Sequence, residues 1–163
     1  MFQGRWPNTL TVDAKHRLTL PTVFRGEKSQ LQSQFFVGVL LDPCIYLFTE
    51  SQHHAFLERI YDKLGDSKEH RQHKTVIVSR FTPVTADSNG RITVPSFVLK
   101  AARIEKEVLL ISQKTRVEIW GVETFTEIEG GDQLTPAVAD ALEFVFAGED
   151  RETSEHNRGE IPG

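Results

Sequence analysis

The stretch VDAKHRLTLP, residues 12–21, is written almost a second time as ADSNGRITVP, residues 86–95. In register, Asp13, Arg17, Thr19 and Pro21 meet Asp87, Arg91, Thr93 and Pro95, all at a constant offset of 74 positions. Leu18, Leu20 and Thr22 meet the near-equivalents Ile92, Val94 and Ser96. A polar centre between alternating apolar positions is the pattern of a turn between two strands. In the first copy Leu10 and Val12 precede the centre, and Leu18 and Leu20 follow it. Asn89-Gly90 in the second copy is the dipeptide that most easily supplies two positive φ angles for a tight hairpin. Lys15-His16 is a costlier choice, although His is enriched at positive φ. Pro21 and Pro95, which lack a ladder donor, mark the strand margin before a turn or helix start.

The correspondence continues at an offset of 72, where 36–40 matches 108–112 and 45–48 matches 117–120. Each half therefore reads hairpin, short helix, hairpin, helix. The domain expectation is a first half over 1–72 and a second over 73–148. After the first half, Phe56, Leu57, Ile60, Tyr61 and Leu64 form one apolar helical stripe, with Thr49 as a capping residue and Gly65 as a stop. SKEHRQHKTVIVSRF, residues 67–81, is mixed. Val76, Ile77 and Val78 favour a strand, but the position between a helix and the second copy favours a second helix, which is the reading adopted. In LTPAVADALEFVFAGED, Pro136 falls in a first helical turn, and Val138, Leu142, Val145 and Phe146 share a face that should dock on something apolar. Residues 149–163 are polar and charged, the composition of a disordered tail.

A chain of 163 residues can hold one ordinary core or two half-domains that share one. The single Cys44 cannot form an intrachain disulfide and argues against a structural zinc site, so a reducing cytosol is expected. FFVGVLL, the longest apolar run, is too short to span a bilayer, and MFQGRWPNTL lacks an apolar signal core. The net charge of −4 is segregated along the chain. Residues 123–163 carry 11 acidic and two basic side chains, or −9, while 1–122 carry 17 basic and 12 acidic, or +5. Two readings stand: a basic working face with an acidic extension that limits indiscriminate binding to polyanions, or a merely solvated acidic tail.

An enzyme reading finds little. His70 and His73 would share a helical face near Glu69, but no third ligand of suitable spacing stands out. There is no P-loop, no Gly-rich dinucleotide fingerprint and no GxSxG elbow, and Ser79 and Cys44 have no base near in sequence. No cofactor is expected. What the chain does repeat is DxxxR. As a structural device, Asp13 with Arg17 and Asp87 with Arg91 pin their turns, and exposed pairs of that kind add at most about 1 kcal/mol. As a functional one, the carboxylates orient guanidinium groups that meet phosphates or guanine edges, for which the planar fork is suited. Around the first copy Arg5, Lys15, Arg17 and Arg25 cluster, with Asp13 opposing them.

MFQG, DAKHRLTLPTVFR, DSNGRITVP and VEIW together resemble the MraZ family, bacterial regulators of the SpoVT/AbrB superfamily, over about residues 1–146. The resemblance implies an α+β fold in which two pseudo-repeated, AbrB-like swapped-hairpin halves form a small β-barrel with flanking helices. It also implies a ring-shaped homo-oligomer that binds short direct DNA repeats in the promoter of its own division and cell-wall gene cluster and associates with the nucleoid, while the single cysteine and the short apolar run are what predict a cytoplasmic chain with no membrane partner. The family's DNA-contacting motif falls on Lys15, Arg17 and Arg25 in the first copy and Arg91 in the second; the charge pattern itself adds Arg5 as a supporting cation and Asp13 and Asp87 as orienting carboxylates. This chain departs from the pattern at His16, where the family commonly has Gly, and at Leu99, where a trailing Arg is often found. Two other readings remain open: a scaffold ring whose DxxxR pairs are purely structural, and a small metal-dependent enzyme using the histidines.

Overall fold

The computed structural model describes residues 2–25 and 33–158, with side chains as far as residue 148. It divides into a unit ending at Phe125 and a unit beginning at Thr126.

In the first unit the strands are β1 (Gly4–Arg5), β2 (Leu10–Thr11), β3 (Arg17–Thr19), β4 (Gln34–Gly38), β5 (Ile45–Thr49), β6 (Phe81–Thr85), β7 (Arg91–Thr93), β8 (Glu107–Ser112) and β9 (Val117–Gly121). A single 3₁₀ turn, Thr22–Phe24, follows β3. Helices α1 (Glu50–Lys63) and α2 (Lys68–Ser79) separate β5 from β6, α3 (Ser96–Ala101) follows β7, and α4 (Val122–Glu129) follows β9 across the unit boundary. The fold is α+β with antiparallel pairing throughout. Its main sheet runs β1-β8-β9-β5-β4-β6, with β2 also on β8. Among the described residues this path is open at both ends, so the strands do not close into a barrel.

Local chemistry explains the helices. Thr49 accepts the Gln52 N–H while the Gln52 side chain accepts the Thr49 N–H, a capping box that starts α1 where the sequence places it. Ser67 caps α2 by accepting the His70 N–H, and the ambiguous segment is helical as far as Ser79. Its Val76-Ile77-Val78 run does not continue into a strand until Phe81, where pairing with Gly38 begins. Pro21 and Pro95 each occupy the position before a helical turn, with matching φ of −56° and −57°.

Period-two alternation gives the sheet two apolar faces. Phe35, Val37, Ile45, Leu47, Val108, Leu110, Val117 and Ile119 point into one core with Leu18, Leu20, Ile92 and Val94. Tyr46, Phe48 and Trp120 point the other way, into an aromatic layer with Phe36, Phe56 and Phe81. That second face also carries Glu118, the only buried carboxylate among the described residues. Its Oε2 accepts from Arg116 Nε at 2.9 Å and Nη2 at 2.7 Å, and its Oε1 accepts from Trp120 Nε1 at 3.0 Å.

Gly38 is required by close packing. A Cβ there would overlap the Arg80 carbonyl oxygen and stand 2.8 Å from the Phe81 ring. Gly38→Ala should therefore destabilise the chain by about 1–3 kcal/mol, the usual cost of overpacking, read as a lower denaturation midpoint at unchanged m-value.

In the second unit, Pro136 opens α5 (Pro136–Arg158), and Thr135 Oγ1 accepts the Val138 N–H at 3.4 Å. Val138, Leu142, Val145 and Phe146 stay exposed. The helix takes in residues 149–158 of the stretch expected to be a polar tail, and 159–163 lie outside the described residues.

Candidate nucleic-acid interface

Both copies of the motif fold into the same turn. Asp13 C=O accepts the His16 N–H at 2.9 Å, and Arg17 C=O accepts the Asp13 N–H at 3.0 Å. The Asp13 side chain completes the turn, its Oδ1 accepting the N–H groups of Lys15 and Arg17 at 2.9 Å and its Oδ2 accepting Arg17 Nε at 2.8 Å. In the second copy Asp87 accepts Gly90 N–H through its carbonyl, Asn89 and Arg91 N–H through Oδ1, and Arg91 Nε through Oδ2. The expected pair of positive φ angles is not used. One residue per turn is left-handed, His16 at φ 61° and Gly90 at φ 77°. This is the three-residue hairpin loop closed by a single left-handed position, which His tolerates better than most side chains.

The strands on either side of each turn pair with partners far along the chain. β2 pairs with β8, β6 pairs with β4, and β3 and β7 pair with each other. Arg17 faces Thr93, Leu18 faces Ile92, and Thr19 faces Arg91. The two left-handed residues cap this ribbon reciprocally: Gly90 C=O accepts Leu20 N–H at 2.9 Å and His16 C=O accepts Val94 N–H at 2.8 Å. Leu18 and Ile92 are buried, while Thr19 and Thr93 are exposed and Arg17 and Arg91 are about one-third exposed. One face of the ribbon is thus core, and the other offers two guanidinium groups and two hydroxyls. Each Arg bonds its Asp through Nε, which leaves its two terminal amino groups without an acceptor among the described residues.

Arg25 reaches from the first copy to the second turn. A Cβ on Gly90 would stand 2.6 Å from Arg25 Cζ, so Gly90 serves both the left-handed conformation and this close approach. Arg25 Nη2 lies 3.4 Å from Thr22 Oγ1, and its Nε is buried without a partner among the described residues. Leu99, at the corresponding place in the second copy, is buried in the core. Lys15, Arg17, Arg25, Arg91, Asp13 and Asp87 are therefore gathered around the ribbon and its turns. Arg5 stands elsewhere, on β1 opposite Ile111 and 5.8 Å above the Phe125 ring, four residues along β8 from the Glu107 that faces Thr11. Thr19 and Thr93 are the outward residues that motif reasoning passed over, although their repetition in register was the available signal.

Backbone donors set the electrostatics. The Arg17 N–H, then the Arg17 side chain and the Lys15 N–H, hold the Asp13 carboxyl below its ordinary value, and Arg91 and Asn89 do the same for Asp87. A depressed carboxylate contributes stability that is fully present above its unfolded value near pH 4 and lost as pH falls through the lower folded value. An NMR titration should find both midpoints below the ordinary Asp range. Arg17→Ala should keep most of the Asp13 depression, because the backbone N–H remains.

The histidines and the thiol are placed structurally. His70 Nδ1 accepts the Gly65 N–H at 2.9 Å, where the chain turns from α1 to α2. His73 lies 3.9 Å from Glu69, and no group of three His, Cys, Asp or Glu gathers among the described residues. Cys44 is fully buried, and burial, aided by Glu118, pushes its thiol up to about 12, far from a nucleophile's range. Among the described residues no helix is long and apolar enough to cross a membrane.

Comparison with known proteins bears on this geometry. Residues 78–142 match a family model described as "MraZ protein, putative antitoxin-like". A protein of Kineococcus radiotolerans named "Transcriptional regulator MraZ" is 31% identical over 148 residues, covering 91% of this chain and 99% of that protein. Proteins of the same name from Carboxydothermus hydrogenoformans and Pseudomonas savastanoi pv. phaseolicola are 29% and 27% identical, over 82% and 81% of this chain and 90% and 87% of their own lengths. The name they share is that of a regulator, which is not an enzyme class. With near-complete coverage of the Kineococcus radiotolerans protein at that identity, the chain belongs to the MraZ family.

Proposed function

We propose that this protein is a sequence-specific, DNA-binding transcriptional regulator whose β3–β7 ribbon is the reading element. One observation carries the reading: two copies of one turn place Arg17, Thr93, Thr19 and Arg91 side by side on the outward face of a two-stranded ribbon. A ribbon of this width fits the major groove, where guanidinium forks meet guanine edges or phosphates and hydroxyls meet either. Lys15 at the first turn adds a phosphate contact, and Arg25 backs the second turn.

The organisation we infer is two pseudo-repeated AbrB-like halves, 1–72 and 73–148, joined within α2 and exchanging strands to build the ribbon. In support, each half runs in the order turn, strand, short helical turn, strand pair, helix. The proposed target is short direct repeats in the promoter of the gene cluster for division and cell wall to which the protein's own gene belongs. Few cations per protomer bind DNA weakly and are displaced by salt. A ring of protomers changes this, because each bound repeat raises the effective concentration for the next, a gain of roughly 10²- to 10⁴-fold. Head-to-tail ring contacts present every ribbon in the same orientation, which matches direct repeats, whereas a two-fold dimer matches palindromes. Association with the nucleoid follows from DNA binding of this kind.

Fluorescence anisotropy against the protein's own upstream promoter and a scrambled fragment, at several salt concentrations, tests the reading. Promoter-preferring binding that weakens linearly in log[salt], by about 0.9 per phosphate contacted, is the expected result. Equal affinity for both fragments by a folded oligomer would assign DxxxR to structure alone and leave the scaffold reading in its place.

A further inference from the structure

On the sheet face opposite the ribbon, α1 and the β8–β9 connection enclose a cavity of about 460 Å³. Its apolar lining comes from Tyr46 and Phe48 on β5 and from Phe56 and Ile60 on α1. Basic side chains also line it: Arg59 and Lys63 from α1, and Lys114 and Arg116 from the connection. We propose that this cavity binds a small anion with a flat apolar body, a carboxylate or a phosphate monoester.

Charge and fixation both point to such a ligand. Arg59 and Lys63 lie at i and i+4 on one helical face, a like-charge spacing that disfavours the helix unless something neutralises it. Neither they nor Lys114 has an ion-pair partner among the described residues. No carboxylate is among the lining residues, and Glu118, behind Arg116, is already engaged by Arg116 and Trp120. The lining therefore carries four cations and no acid. Arg116 is moreover a prepared anchor rather than a floppy side chain, because Glu118 holds it through two nitrogens and its Cζ lies 4.2 Å from the centre of the Tyr46 ring. The volume falls in the range of small-molecule sites, and an apolar lining with a few convergent polar groups is their usual makeup. A flat ring would lie against Tyr46, Phe48 and Phe56, and its acid would meet Arg116, Lys114 and Lys63.

The inference does not rest on DNA binding, which is measured separately on the same preparation. Calorimetric titration of the full chain with 2-naphthoate, 2-naphthyl phosphate and 2-naphthol isolates the anion on a constant ring. Either acid should bind roughly tenfold or more tightly than the alcohol, the value of one charge-assisted contact. The preferred acid identifies the headgroup. The double variant Lys63→Glu with Lys114→Glu should abolish that preference while leaving the alcohol's affinity unchanged, and Ala55→Trp, which fills the cavity, should abolish binding of all three. Equal affinity for acids and alcohol, or a preference that survives the double variant, overturns the proposal. Absence of binding together with a changed oligomeric mass in the double variant also overturns it, and assigns the cavity to contact with a second copy of this chain.

Discussion

Replacing both Arg17 and Arg91 with alanine should reduce promoter binding to the level of scrambled DNA while leaving the folded chain intact. Each Arg has two terminal amino groups with no acceptor among the described residues, and losing one bidentate base contact typically costs about 1–3 kcal/mol, or roughly 5- to 150-fold. The losses are repeated in every protomer of an oligomer, so avidity magnifies them. Stability should change little, because an exposed, solvent-screened Asp–Arg pair contributes little and the turn keeps its backbone bonds to Asp13 and Asp87. Asp13→Ala behaves differently: it removes the acceptor for two backbone N–H groups as well as the brace on Arg17, so both stability and affinity should fall. Lys15→Ala should weaken binding to all sequences alike and lower the salt slope by about 0.9. Anisotropy titrations beside thermal melts separate these cases. If Arg17→Ala and Asp13→Ala lowered stability alike and neither altered DNA affinity, the motif would be structural.

Much of this arrangement was legible in the sequence because it was local. The turn chemistry of Asp13 and Asp87, the strand margins at Pro21 and Pro95, the Thr49 cap and the Pro136 start each depend on a few neighbouring residues, and each lies where those residues place it. Non-local pairing was not legible. Alternation in 10–12 and 18–20 announces strands but not their partners, and β2 and β3 turn out to pair with β8 and β7 rather than with each other. For the same reason motif reasoning grouped Arg5 with Lys15 and Arg17, whereas its place on β1 against β8 and its ring partner Phe125 are set by contacts more than 100 residues away. Asn89-Gly90 promised two left-handed residues, but Asp87 already supplies the side-chain acceptor that a three-residue loop needs, so Gly90 alone is left-handed. Thr19 and Thr93 matter only once β3 and β7 are seen to run together, since neither strand alone shows that the exposed positions form one surface.

The second large effect is expected at Glu118. In a strand that reads Val117-Glu118-Ile119-Trp120, a carboxylate among apolar residues looks like the outward position of an alternating strand. Both sheet faces are covered, however, and the Glu118 side chain is only 7% exposed. Its burial is tolerated because three donors meet it, two from Arg116 and one from the Trp120 indole. Glu118→Ala removes all three acceptor interactions at once and leaves the indole N–H unsatisfied in the aromatic layer. It also leaves Arg116 over Tyr46 without its counter-charge. Breaking a buried pair by deleting one partner costs about 3–5 kcal/mol, and the partial exposure of Arg116 moves the expectation to roughly 2–4 kcal/mol. In a chain of this length that corresponds to a fall in Tm of about 4–16 °C. Glu118→Gln retains one acceptor for the indole and should recover part of the loss. Replacing Arg116 and Glu118 together, by Met and Leu, should cost less than Glu118→Ala, since no buried charge is left unpaired, although the Trp120 indole N–H still loses its acceptor. Additive losses in that double variant would mean that the pair is dispensable and that packing around Trp120 sets the stability of this face.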